Sequence, residues 1–474
     1  MLMLLTVVLY FSLLFAVSRL SSKGTSNEDF YRGHRRSPWY MVAFGMVGAS
    51  ISGVTLVSVP GMVMRSDMTY LQTCLGFIPG YFVVAWVLLP LYYRMNLTSI
   101  YALPGERIGP TARRTASMFF LVSKIVGAAV RFYVVCMLLQ RFVFSEVHLP
   151  FALTVPLMVA LIWLYTRRGG IRTLVWTDTF QTLCLFTAVV LIFVQVAGRL
   201  GMGVGEAVQT VAQSSYSRIF VLDDWMNRQH FVKQFLSGIF IVIVMTGLDQ
   251  DMMQKNLTCK NLKEARKDMC TYGFAFVPAN LLFLSLGVLL VMLAQQQGVA
   301  LPDKGDELLP MFAGSGALGS AVMVLFTIGI VAASFSSADS ALTALTTCFC
   351  VDICHRPGDE QLRKRAHLGI CLLFVVFIWI FEAVNSTSVI DAIYILCSYT
   401  YGPLLGLFAC SLCRRTPAND RLVPYVCVAS PIVCGVVEYA VQRFTGYRFG
   451  YELLMLNGLI TFAGLLLCLQ RRHG

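Results

Sequence analysis

Long apolar stretches joined by short basic connections leave this chain few ways to fold. Thirteen can be marked, at roughly 1–18, 39–64, 70–93, 116–142, 150–166, 173–198, 231–254, 271–294, 317–349, 368–384, 389–412, 422–440 and 451–470. A helix needs about 20 apolar residues to cross a bilayer, and lipid offers no hydrogen bonds to a backbone left unpaired. The expectation is therefore an all-α polytopic membrane protein with about 13 transmembrane helices. Only 13% of the residues are charged, and 57% are hydrophobic. A soluble domain carries roughly 25% charge. The first apolar stretch has no positive residue before Arg19 and no small-residue cleavage site, so it reads as a retained helix.

The basic residues set an orientation. With the N-terminus outside, the inner connections hold 26 Lys and Arg against 8 in the outer ones. That asymmetry places the C-terminus inside, in the plasma membrane, or the cytoplasmic membrane of a bacterium. It also accounts for the net charge of +12 without a nucleic-acid partner. The 15 cysteines are scattered mostly through apolar segments. Cys410 and Cys413 form a pair at a helix end with no second pair, which suits packing better than a metal. All six histidines read as lying in polar connections or the tail, so no histidine metal site is expected. No nucleophile–base pair stands in the apolar segments, which argues against an enzyme.

Polar residues inside those segments are the candidates for function. Val331–Thr343 carries four serines and an aspartate within a long apolar run. As a helix it places Ala333, Ser336, Ser337 and Ser340 on one face, with Asp339 beside it. Such oxygens suit a small hard cation. Serines in a membrane helix also pack and bond back to the i−4 carbonyl, but an intramembrane carboxylate points to function. Asp178, about two turns into the sixth segment, reads as buried. The second segment combines Gly45, Gly48, Gly53, Pro60 and Gly61 with Ser50, Ser52, Thr55 and Ser58; the seventh has Ser237-Gly238 and Thr246-Gly-Leu-Asp-Gln-Asp251. Breaks at corresponding places in two halves indicate an inverted repeat of five helices with the site between them. Lys124 and Arg131 share a face of the fourth segment, and each wants an internal carboxylate or an anionic ligand.

Several of these stretches resemble the sodium/solute symporter family. They are Gly169-Gly-Ile-Arg-Thr-Leu-Val-Trp-Thr-Asp-Thr-Phe-Gln181, the Ala333–Ser340 helix with Phe349-Cys-Val-Asp-Ile353, Asn27-Glu-Asp-Phe-Tyr-Arg-Gly33 and Ser398-Tyr-Thr-Tyr-Gly-Pro403. The resemblance implies the leucine-transporter-type fold. Its 5+5 inverted-repeat core would span 39–412, after an extra helix and loop (1–38) and before two further helices (413–474). It implies a main sodium site from Gly48, Ile51, Ala333, Ser336 and Ser337. It implies a second from Asp178, Ser336, Asp339 and Ser340, with Asp339 standing where a hydroxyl residue is usual. Ser50, Ser52, Thr55, Gln72 and Arg131 resemble the substrate contacts of the sialic-acid branch. Thr55 stands where sugar symporters carry glutamine, which argues against a galactose-like site. The expectation is sodium-coupled import of a small solute, carboxylate-bearing like a sialic acid, by alternating access. Its partners are the solute, sodium ions and the lipid bilayer. A neutral sugar or amino acid, proton coupling, and a sensor that keeps the fold are the alternatives.

Overall fold

The structure is a computed structural model, and it describes residues 2–21, 26–144, 148–314, 316–384, 389–414 and 420–468. Four of the basic residues used for orientation, Lys23, Arg415, Arg471 and Arg472, lie outside them. The described chain is helical, with no strand. Eight helices are long and apolar enough to cross a membrane, or ten if each of two bent pairs is one span; Phe151–Arg167 and Leu453–Cys468 are shorter apolar helices.

The elements that position the site can be taken in order. Helix α1 is Leu2–Ser21 and α2 is the short Asn27–Arg32. The first bent pair is α3 (Trp39–Ser50) and α4 (Gly53–Ser66), at 63° to each other. Helix α5 is Tyr70–Val83, and α6 runs Pro110–Leu139. Then come α7 (Phe151–Arg167) and α8 (Gly170–Arg199). They meet at Gly170, whose φ of +47° only glycine adopts readily and whose missing Cβ makes room for Phe30. The second bent pair is α9 (Phe231–Gly247) and α10 (Gln250–Asn256), at 70°. Helix α11 is Leu262–Gln297, α12 Ser320–Cys348, α13 Glu360–Val384, α14 Val389–Cys413, α15 Val423–Thr445 and α16 Leu453–Cys468.

Both expected breaks are present, and the packing around them is reciprocal. Helix α5, which follows the first break, lies along α9. Helix α11, which follows the second, lies against α3 and α4. Small residues allow the close approach of α5 and α9: a Cβ on Gly238 would fall 2.2 Å from the Thr73 carbonyl, and one on Gly76 2.1 Å from that of Phe235. Helix α12 packs along α8 and also touches α3 and α4, so the serine-rich face meets both the first break and Asp178. Helix α2 carries a capping box from Ser26 and Asp29, and Asp29 accepts from Arg172 at 2.8 Å, which ties the first loop to the start of α8.

One histidine departs from expectation. His367 is buried within α13, with its ring nitrogens 2.9 Å from the hydroxyls of Thr166 and Thr346. The polar run before this helix is short, so packing against α7 and α12 covers its second turn. No group of three metal-type ligands occurs among the described residues.

Candidate ion and substrate site

The site is built from the first break outward. Helix α3 ends at Ser50, Ile51 takes a non-helical φ of −84° and ψ of 85°, and Ser52 caps α4 by accepting from the Thr55 N–H at 3.4 Å. Ile51 N–H bonds to the Val47 carbonyl and Leu56 N–H to that of Ser52, which leaves the carbonyls of Gly48 and Ile51 outside the helical ladder. Freed carbonyls are tolerated at membrane depth only where protein or a cavity meets them. Here α12 approaches: the Ser337 hydroxyl lies 2.8 Å from the Ala49 carbonyl and 3.1 Å from that of Ala333. On the other side α8 packs so tightly that a Cβ on Gly48 would fall 1.8 Å from Thr182 Oγ1.

Ser336 points the other way. Its hydroxyl donates to Asp178 Oδ1 at 2.7 Å. Lys255 Nζ lies 2.7 Å from Asp178 Oδ2, a close charge pair without the alignment of a good hydrogen bond. One turn along α12, Asp339 accepts from Tyr165 at 2.6 Å and from Ser340 at 3.2 Å. Asp178, Ser336, Asp339, Ser340, Tyr165 and Lys255 are all buried. The second set of candidate residues therefore comes together as one buried polar cluster between α7, α8, α10 and α12.

A cavity opens on the opposite side of the break. Ser50, Ser52, Thr55, Arg131 and Ser337 line it, together with Phe77, Tyr81, Phe132 and Tyr272. The Ser50 hydroxyl bonds to that of Tyr272. Lys124 also faces the cavity, yet it is already satisfied: its Nζ lies 3.0 Å from Asp249 and 2.7 Å from Asp251, and Tyr401 donates to Asp249 at 2.8 Å. Arg131, seven residues on, forms no ion pair among the described residues. Gln72 lies apart from the cavity. Its amide bonds to the Gln229 carbonyl at 2.9 Å and accepts from Val221 N–H at 3.1 Å, which fastens the long connection between α8 and α9.

A broken helix, a serine face on α12 and a lined cavity between them agree with what sequence comparison returns. The pattern of the sodium:solute symporter family matches residues 30–415. The chain belongs to that family. The sodium/sialic acid symporter NanT of Aliivibrio fischeri is 26% identical over 416 residues, which cover 85% of this chain and 81% of that one. The sodium/sialic acid symporter SiaT of Proteus mirabilis is 26% identical over 423 residues, covering 85% and 83%. In architecture, the outward-open, substrate-bound structure of a Na+-coupled sialic acid symporter superposes with a TM-score of 0.82 at 21% identity, over 97% of this chain and 95% of that one. These relatives are transporters, not enzymes.

Within the sodium:solute symporter frame, Lys255 and Tyr165 are the members of the buried polar cluster that sequence reasoning missed. Lys255 was counted with the cytoplasmic basic residues because it ends an apolar segment; the seven residues of α10 are instead buried throughout. The second break turns α10 back under the core, and no one-dimensional pattern records that turn. Tyr165, near the end of α7, had no feature in the sequence to single it out. The carboxylate partners of Lys124, by contrast, were visible as polar residues at the second break.

The Lys124 cluster yields a prediction. Lys124→Met leaves Asp249 and Asp251 facing each other without a cation, which costs about 3–5 kcal/mol for a buried pair. The expected result is a lost or strongly lowered melting transition in detergent, with Lys124→Arg close to the unmodified chain. Equal melting of the methionine variant would show that the cluster is not structural.

Proposed function

We propose that this chain imports a small carboxylate-bearing solute, of which a sialic acid is the type, together with sodium. The observation that carries the substrate class is Arg131. It faces the cavity without a carboxylate partner, while Lys124 beside it has two. A guanidinium in a low-dielectric site favours an anion, and its planar fork matches a carboxylate bidentately. The hydroxyls of Ser50, Ser52 and Thr55 on the same cavity suit a polyhydroxylated body, and the aromatic walls suit its apolar faces. Sialic acids are what NanT and SiaT carry by name.

Sodium supplies the driving force. Each sodium charge moved inward gains about 2.3 kcal/mol per 100 mV of membrane potential. The carbonyls of Gly48, Ile51 and Ala333 with the Ser337 hydroxyl fit the main ion, and Ser336 joins this set if its hydroxyl turns from Asp178. An ion bound there bridges α12 to a helix that stops in mid-membrane. It therefore favours one arrangement of the break over another, and this differential affinity couples it to the solute. Residues 39–412 form the transport core in this reading, with 1–38 and 413–474 as additions at its edge. The N-terminus lies outside and the C-terminus inside, on the basic asymmetry with Lys255 withdrawn from it.

Three experiments test this. Ser337→Ala removes one of few ligand oxygens, so the sodium concentration for half-maximal uptake in proteoliposomes rises about tenfold or more, on the scale of a hydrogen bond to a charged group. Unchanged sodium dependence removes the break from the coupling site. Arg131→Lys keeps the charge and loses the fork; solute affinity falls about tenfold or more while stabilisation by sodium persists. Stabilisation of the unmodified chain by a neutral sugar, and by no carboxylate, ends the anionic reading. For orientation, a reporter active only in the cytoplasm, fused after residue 474, is active if the C-terminus lies inside and silent if it lies outside.

A further inference from the structure

A groove at the start of α11 gathers three basic side chains and no carboxylate. Lys263, Arg266 and Lys267 line it with Cys270, Trp39 of α3 and Trp86. None of the three forms an ion pair among the described residues. Glu264 and Asp268, on the same helix, do not line the groove, and Asp268 is buried against Asn256. One wall is fixed by the chain that continues α5. Val84–Leu88 is a π turn, a widened stretch often found at functional positions. There the Leu89 N–H reaches the Val84 carbonyl, and Pro90, five residues after Ala85, has no N–H to give the Ala85 carbonyl. Arg266 fills that place: its Nε donates to the Ala85 carbonyl at 3.1 Å. The guanidinium is thereby held 5.9 Å from the centre of the Trp86 ring, and Lys267 Nζ lies 5.8 Å from that of Trp39. The terminal N–H groups of Arg266 have no protein partner among the described residues. The groove also runs into an apolar furrow. Trp86 borders both, and Phe82, Val83 and Val87 line the furrow with it. The Phe82 ring lies 5.9 Å from that of Phe274 on α11, and all five of these side chains are exposed.

We propose that this groove binds an anionic phospholipid, with the phosphate held by Lys263, Arg266 and Lys267 and an acyl chain lying in the furrow beside Trp86. Charge complementarity selects an anion, and a guanidinium with free terminal N–H groups matches phosphate oxygens bidentately. The furrow selects a lipid over a soluble phosphate, because it offers hydrocarbon contact that only an acyl chain can use. Tryptophans at the mouth suit headgroup depth, where their rings are half apolar and half wet. With the orientation proposed above, the groove opens to the cytoplasmic leaflet, whose anionic lipids attract basic side chains. Trp39 and Trp86 stand beside the first break and its following helix, and α11 follows the second break. A lipid seated here therefore ties together elements from both sides of the reciprocal packing. The inference is independent of the solute and of the sodium sites.

The test is thermal stabilisation of the full chain in detergent, at fixed sodium and without solute, as phosphatidylglycerol or phosphatidylcholine is added. Phosphatidylglycerol acts at a concentration about tenfold lower or less, since each basic side chain at the headgroup favours the anionic lipid. Lys263→Gln combined with Lys267→Gln changes two exposed side chains and leaves the Arg266 contact with Ala85 in place. In that variant the half-maximal phosphatidylglycerol concentration rises about tenfold or more, and the response to phosphatidylcholine does not move. Arg94→Gln combined with Arg114→Gln removes the same charge from exposed positions outside the groove. There the value changes by less than about threefold, because those charges do not touch the phosphate. Equal losses in the two double variants overturn the proposal, because general surface charge then explains the preference. Equal action of the two lipids on the unmodified chain also overturns it. So does stabilisation by glycerol 3-phosphate at the concentration at which phosphatidylglycerol acts, because a soluble anion then fills the groove and the furrow plays no part.

Discussion

A helix that stops inside a membrane creates a debt that lipid cannot settle, and this structure is arranged around two such stops. At each, carbonyls and N–H groups leave the ladder in a medium without water to meet them. The first is met by a hydroxyl of α12 and a tight face of α8; the second by Asp249, which caps α10 by accepting from the Asp251 N–H at 2.9 Å. Because the ends of broken helices carry partial charge, they draw polar and charged side chains to the same depth. The serine face of α12, the buried carboxylate cluster and the cavity all border these two breaks.

Charge is the second constraint, and it follows from the first. Among the described residues, the buried Lys255 ammonium has the Asp178 carboxylate beside it, and the largely buried Lys124 has those of Asp249 and Asp251. Arg131 stands apart because it borders the cavity instead of the packed interior. The same low dielectric that makes an isolated charge costly makes a correctly placed ligand charge valuable. That is why an incomplete pairing reads as a binding site when it faces a cavity.

Much of this was legible in the chain. Apolar length gives helices and a bilayer; glycine, proline and serine inside such lengths give the two breaks; and the 3.6-residue period groups Ala333, Ser336, Ser337 and Ser340 on one side of α12. Burial of Asp178 followed from its distance into α8. These conclusions rest on local rules, which a sequence states directly: what each residue costs in lipid, and which residues share one helix face.

What the sequence could not state is which faces meet. Ser336 and Ser337 are neighbours, yet they serve different partners, because adjacent residues on a helix diverge by about 100° and only packing decides what lies in each direction. Gln72 has the right chemistry for a solute contact, but the connection between α8 and α9 reaches it first. Lys255 looked like a solvated loop residue because its segment ends there; the fold at the second break brings it 2.7 Å from Asp178, 77 positions earlier in the chain. The sequence by itself determined the membrane, the helices, the breaks and the polar inventory, since each depends on local composition and period. Only the tertiary structure decided which charge answers which, since that depends on long-range packing in a medium where no charge can be left to water.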